Sequence, residues 1–206
     1  MTNCLFFGDS ITYGEYDGIL GGYVDILKRY CHAEFYQNNT NEINCFNLGI
    51  GGETTEGLIK RFEIEMKARY SPDENLIFFL YGANDLAEKN NVELVSLSDF
   101  EANLSQMISH AKEFTKNVYL ISILPISKTV DGINVPERKF RTTQKIELYN
   151  QKLKELAAQN DVKFIDIFSS FNANKEVFLS KDGVHPNEKG YGFIAENLKP
   201  ILTRLL

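Results

Sequence analysis

Tryptophan is absent from this chain, cysteine occurs three times, and no apolar run approaches the ~20 residues a helix needs to cross a bilayer. No membrane span is expected. The N-terminus also lacks a basic stretch followed by an apolar one and a small-residue cleavage site, so no secretory leader is read and a cytoplasmic location is expected. Cys4, Cys31 and Cys45 are odd in number and scattered, with no C-x-x-C pair, which argues against a disulfide framework and for reduced, buried thiols. Cys31 and His32 stand side by side at an expected helix end, where adjacent side chains diverge and no third ligand is near, so neither a metal nor a cofactor is expected. Positive charge is the minority charge: 22 Lys and Arg against 28 Asp and Glu leave a net charge of -6. A nucleic-acid partner would need a basic stripe to neutralise phosphates, and none is present.

What is present fits a globular protein. The 206 residues are 43% hydrophobic and 24% charged, with 15 Phe and 10 Tyr giving the core an aromatic bias, and they are read as a single domain over 1–206. Strand-like runs at 3–8, 44–48, 76–81, 117–123 and 162–167 are separated by helical patterns. The middle runs are continuously apolar, as in parallel strands covered on both faces. Helices are expected over 22–30, 56–70, from a capping-box pattern at Ser98 and Glu101, over 143–159, and after Pro186, which suits a first helical turn because its missing amide has no partner there. Right-handed crossovers then predict a three-layer α/β/α sandwich around a five-stranded parallel sheet in flavodoxin-like order. The linkers 85–97 and 125–140 both follow strands and are candidate pocket walls.

The chemistry-bearing residues stand at strand exits. Ser10 follows the first strand in Gly8-Asp9-Ser10. Gly49-Ile50-Gly51-Gly52 follows the second and exposes backbone amides before a helix, an arrangement that suits an anion or, equally, a tight turn. Asn84 follows the third in Gly82-Ala83-Asn84-Asp85, as an amide donor or a turn residue. Asp182 and His185, three apart before the last helix, can pair so that the carboxylate fixes the imidazole tautomer and aims its other nitrogen at Ser10. His32 and His110 lie in helices and are given structural or solvent-facing roles. For Arg138-Lys139-Phe140-Arg141 a solvated helix entrance is the simpler account and recognition of an anionic substrate the alternative; it is assigned no role.

Taken in order, these four blocks resemble those of the SGNH (GDSL-type) hydrolase family, with Ile11 in place of the leucine of the GDSL signature. The resemblance implies an SGNH hydrolase fold with Ser10 as nucleophile, His185 as general base and acid, and Asp182 as its orienting carboxylate. It also implies an oxyanion hole from the Ser10 and Gly52 amides and the Asn84 side chain, with Gly51 as the alternative glycine. Asp9 is left a turn-shaping role. The implied reaction is hydrolysis of a small soluble ester, an acetylated sugar or a modest acyl chain through an acyl-enzyme. Phe178, Leu179, Val184 and the 125–140 loop are candidates for shaping the pocket. Acyl transfer to an alcohol would use the same site, and a flavodoxin-like phosphate or flavin module would use the glycines while leaving Asn84, Asp182 and His185 idle.

Overall fold

Each apolar run of the sequence becomes a strand of one parallel sheet. The computed structural model describes residues 1–135 and 137–206, leaving Pro136 of the 125–140 loop outside the described residues. In chain order its strands are β1 (Thr2–Gly8), β2 (Ile43–Gly49), β3 (Glu74–Leu80), β4 (Glu88–Lys89), β5 (Val92–Glu93), β6 (Asn117–Ile121) and β7 (Lys163–Ile165). The helices are α1 (Ser10–Tyr13), α2 (Tyr23–Asn38), α3 (Thr55–Ala68), α4 (Leu97–Lys112), α5 (Thr143–Gln159), α6 (Phe168–Asn172), α7 (Lys175–Phe178) and α8 (Glu188–Thr203). The five-stranded sheet has the order β2-β1-β3-β6-β7, all pairs parallel. Helices α2 and α8 pack together, while α3, α4 and α5 form a second row, giving three layers.

The aromatic bias is explained by this layering. Phe6, Phe78 and Tyr119 are aligned across β1, β3 and β6 and stack at 4.5 and 4.6 Å, with Tyr23 of α2 edge-on to Phe6. One residue on, Phe7 and Phe79 turn to the opposite face and meet Phe62 of α3. Successive strand residues therefore feed both cores, and each aromatic pair adds about 0.5–1.5 kcal/mol beyond its buried area.

The register also aligns the strand exits, since Gly8 lies opposite both Gly49 and Leu80. The chain leaves β1 toward β2 on one side and returns to β3 on the other. A crevice therefore opens beyond the carboxyl ends of β1 and β3, where open α/β sheets bind their ligands.

Local expectations are corrected in four places. Helix α2 continues to Asn38, so Cys31 and His32 lie in its body. Helix α4 begins earlier than the capping-box reading: Ser96, with extended backbone, accepts from the Asp99 amide, and Ser98 is already helical. Pro186 lies outside α8, whose N-cap is Asn187, accepting from the Lys189 and Gly190 amides. The linker 85–97 contains the β4–β5 hairpin, turned by Asn90 and Asn91 at φ 54° and 62°, a conformation asparagine tolerates better than most residues.

Candidate active site

Ser10 reaches the crevice because β1 stops abruptly. The Asp9 carboxylate caps α1 by accepting from the Ile11 amide at 2.9 Å, so Ser10 becomes the first residue of a one-turn helix. Its amide has no intrahelical acceptor. The turn sits directly on the exit of β2, where a Cβ at Gly49 would come 2.1 Å from the Tyr13 nitrogen. Glycine at that position is a packing requirement.

From the opposite end of the chain, the loop between α7 and α8 brings in His185. Its Nε2 lies 2.8 Å from Ser10 Oγ, and its Nδ1 lies 2.5 Å from Asp182 Oδ2. The other carboxylate oxygen accepts from the Val184 and His185 amides and from Ser180 Oγ, which fixes the loop around it. Burial works to raise the Asp182 carboxyl, but the His185 hydrogen bond and the two amides outweigh it and hold the group well below the usual carboxylate range. With Asp182 ionised, Nδ1 carries the ring proton and Nε2 accepts from the serine hydroxyl. Tyr16, at φ 68°, sets its ring edge-on to the imidazole with centroids 5.1 Å apart.

On the other flank of Ser10, Gly52 takes φ 78° in the turn after β2. The next residue anchors that turn: the Glu53 carboxylate accepts from Arg61 Nε and Nη2 and from the Tyr81 hydroxyl, the last at 2.6 Å. Asn84 faces Gly52 across the crevice, as a buried residue. Its Nδ2 donates to the Glu53 carbonyl at 3.1 Å and to Asp9 Oδ2 at 3.3 Å, and its Oδ1 accepts from Lys139 Nζ at 2.6 Å and Arg141 Nη2 at 3.3 Å. Donors on one side and acceptors on the other leave the amide one sensible orientation. Behind it, burial pushes the Asp9 carboxyl up to about 6 against the opposing pull of the Ile11 amide and the Arg141 charge. Burial likewise raises Asp85, whose Oδ1 accepts twice from Thr55.

Ser10, Gly51, Gly52, Asn84, Asp182 and His185 thus line one cavity of about 630 Å³. Val184 lines it too, but Phe178 does not: its ring packs between Phe171 and Phe193. His32 and His110 lie elsewhere, on α2 and α4. Reasoning from sequence missed Tyr16 as a cavity wall, and it gave no role to the Arg138–Arg141 run although that run borders the 125–140 loop expected to form a wall. The basic run was visible, but what places it is a tertiary pairing, in which Glu88 and Phe140 exchange both backbone hydrogen bonds.

Known proteins resemble this chain over nearly its whole length. A model of the GDSL-like Lipase/Acylhydrolase family matches residues 6–193. Among curated proteins, the chain is 23% identical to the spore germination lipase LipC of Bacillus licheniformis, over 93% of this chain and 92% of that one. It is 25% identical to a bovine isoamyl acetate-hydrolyzing esterase 1 homolog, over 97% of this chain and 81% of that one. Among solved structures, a lipase/acylhydrolase from Enterococcus faecalis is 27% identical and superposes with a TM-score of 0.77, covering 100% of this chain and 98% of that one. The acetylxylan esterase Axe2 of Geobacillus stearothermophilus shares the fold at 23% identity and a TM-score of 0.72, over 97% and 93% of the two chains.

Proposed function

This chain belongs to the GDSL-like lipase/acylhydrolase family, a family of hydrolases acting on ester bonds, and on that premise we propose that it is a serine esterase working through an acyl-enzyme on Ser10. The observation that carries the reading is the unbroken chain from Ser10 Oγ through the His185 ring to Asp182. As Ser10 Oγ attacks the ester carbonyl, His185 Nε2 takes its proton, and the adjacent Asp182 carboxylate stabilises the imidazolium. The carbonyl oxygen becomes an alkoxide. It is received by the Ser10 and Gly52 amides and by Asn84 Nδ2, which exchanges its longer bond, to Asp9, for the oxyanion. His185 then returns the proton to the departing alcohol oxygen, leaving the acyl group on Ser10. Water, deprotonated by the same nitrogen, attacks that acyl ester, and collapse releases the acid and restores the serine.

A cavity of about 630 Å³ suits a carboxylic ester of modest size. The phosphate-cradle reading is set aside, because it gives Asp182 and His185 nothing to do. Nitrophenyl esters from acetyl to long acyl chains, assayed on wild type, Ser10→Ala and His185→Ala, test the proposal. Both substitutions should lower kcat by about 10⁴-fold or more. Mass spectrometry of quenched wild type should find the acyl group on Ser10. Undiminished turnover by Ser10→Ala would sink the mechanism, and ester products with an added alcohol in place of free acid would redirect it to acyl transfer.

A further inference from the structure

The cavity is positive along one wall although the protein as a whole is acidic. Arg138, Lys139 and Arg141 line it, and among the described residues none of the three has a carboxylate within ion-pair distance. Arg141 is held by neutral oxygens, donating from Nε to the Ala83 carbonyl at 2.7 Å and from Nη2 to Asn84 Oδ1. Lys139 donates to the same Asn84 oxygen, and its ammonium lies 4.0 Å from where a Cβ on Gly52 would stand. Two cations thus converge on one neutral atom in a half-buried site. Burial and the neighbouring Arg141 charge depress the Lys139 ammonium, while Asp9 and Asp85, behind Asn84, oppose that only in part. Such an arrangement is costly until an anion enters it. An ammonium has three donors, and Asn84 takes one.

The wall also has a side. Lys139 stands by Gly52 and Asn84, whereas the departing alcohol must lie by His185, where the edge of Tyr16 and the apolar Val130, packed against the Gly183 turn, form the surroundings. Lys139 thus stands away from the departing alcohol and beside the groups proposed to receive the oxyanion, so a charge it meets is carried by the half of the ester that holds the carbonyl, the acyl half.

We propose that the preferred substrates are esters whose acyl part carries a carboxylate, as in monoesters of short dicarboxylic acids, with Lys139 as the residue that selects them. The proposal rests on the serine esterase reading given above. It concerns which ester is chosen, not how it is cleaved.

The test compares 4-nitrophenyl hydrogen succinate with 4-nitrophenyl butyrate, and 4-acetoxybenzoate with phenyl acetate, in wild type and Lys139→Met at low salt. Wild type should favour the succinate over the butyrate in kcat/KM by about tenfold or more, the range of a charge-assisted contact, and show no such preference within the acetate pair. Lys139→Met should erase the ratio, whatever it does to the absolute rates. Equal rates on succinate and butyrate, a ratio that survives Lys139→Met, or a preference for 4-acetoxybenzoate would each overturn the assignment. Binding to Ser10→Ala gives a readout free of turnover: calorimetry should show monomethyl succinate held more tightly than methyl butyrate, and less so once Lys139→Met is added. Equal binding of the two would overturn the proposal even in a protein that cleaved neither. Turnover persisting in Ser10→Ala, with the succinate preference intact, would overturn the mechanism and leave this selectivity standing.

Discussion

The loop leaving β1 and the loop entering α8 each bring an aspartate close to Ser10, and they prepare it in opposite ways. Asp9 is fully buried with one backbone amide and a long contact from Asn84, and its carboxyl is pushed up to about 6. Asp182 keeps a third of its side chain exposed, collects two amides, a hydroxyl and the imidazole, and is held well below the ordinary range. Proximity to Ser10 does not decide which acid suits the role proposed for Asp182. The count of donors does, because a carboxylate must keep its charge to steady an imidazolium.

The widest separation between the two should appear in catalysis. Asp182→Asn replaces an acceptor by an amide that cannot hold His185 in the productive tautomer, and kcat should fall by about 10⁴-fold. Asp9→Asn preserves an oxygen for the Ile11 amide and should cost less than about tenfold by the same assay, since its loss removes no donor from the oxyanion. Equal losses in the two variants would show that the number of donors does not separate the two aspartates. Between these lies Asn84→Ala, which removes one of the proposed oxyanion donors and should lower kcat by about 10²- to 10³-fold with little change in KM.

The smallest effects are in stability, and they have opposite signs. Asp9 binds its proton more tightly in the folded state than its ordinary value of 3.8. Its contribution is present in full below that value and declines as pH rises toward about 6, by up to roughly 3 kcal/mol. Asp182 is depressed when folded, so its contribution is present above 3.8 and is lost as pH falls below it. Urea unfolding from pH 3 to pH 8 should show that Asp9→Asn flattens the decline between about 4 and 6. Asp182→Asn should destabilise the protein at neutral pH and progressively less below about 3.8, with part of the effect still present at pH 3. A decline near pH 5 unchanged in Asp9→Asn would locate the buried proton elsewhere.

Much of this arrangement is readable before any coordinates, because each element announces itself locally. Strands β1 and β3 are nearly continuous apolar runs, α5 carries a stripe of Ile146, Tyr149, Leu153 and Leu156 near to its end, and the first three polar blocks follow strands in order, the fourth lying between α7 and α8. What stays hidden depends on partners distant in sequence. Ser98 has Glu101 at capping-box spacing, yet the cap falls to Ser96, whose backbone is extended and whose hydroxyl accepts from the Asp99 amide. Lys139 and Arg141 belong to a loop without periodicity, and they face Asn84 because β4 pairs with Phe140 and because Asp131 caps the start of α5 through the Thr143 amide and hydroxyl. The anchoring of the Gly52 turn by Glu53, Arg61 and Tyr81 is likewise a contact among three elements.

The hydrogen bond between Ser10 and His185 joins residues 175 positions apart. Closing so long a loop is repaid only when the strands and helices between have already docked, so the two side chains meet late in folding. A chain still lacking its last helix could own a finished sheet and an exposed serine and yet do no chemistry. Turnover is thus a report on the whole polypeptide: a cut in a surface loop that lets α8 drift should silence the enzyme while most of its secondary structure survives.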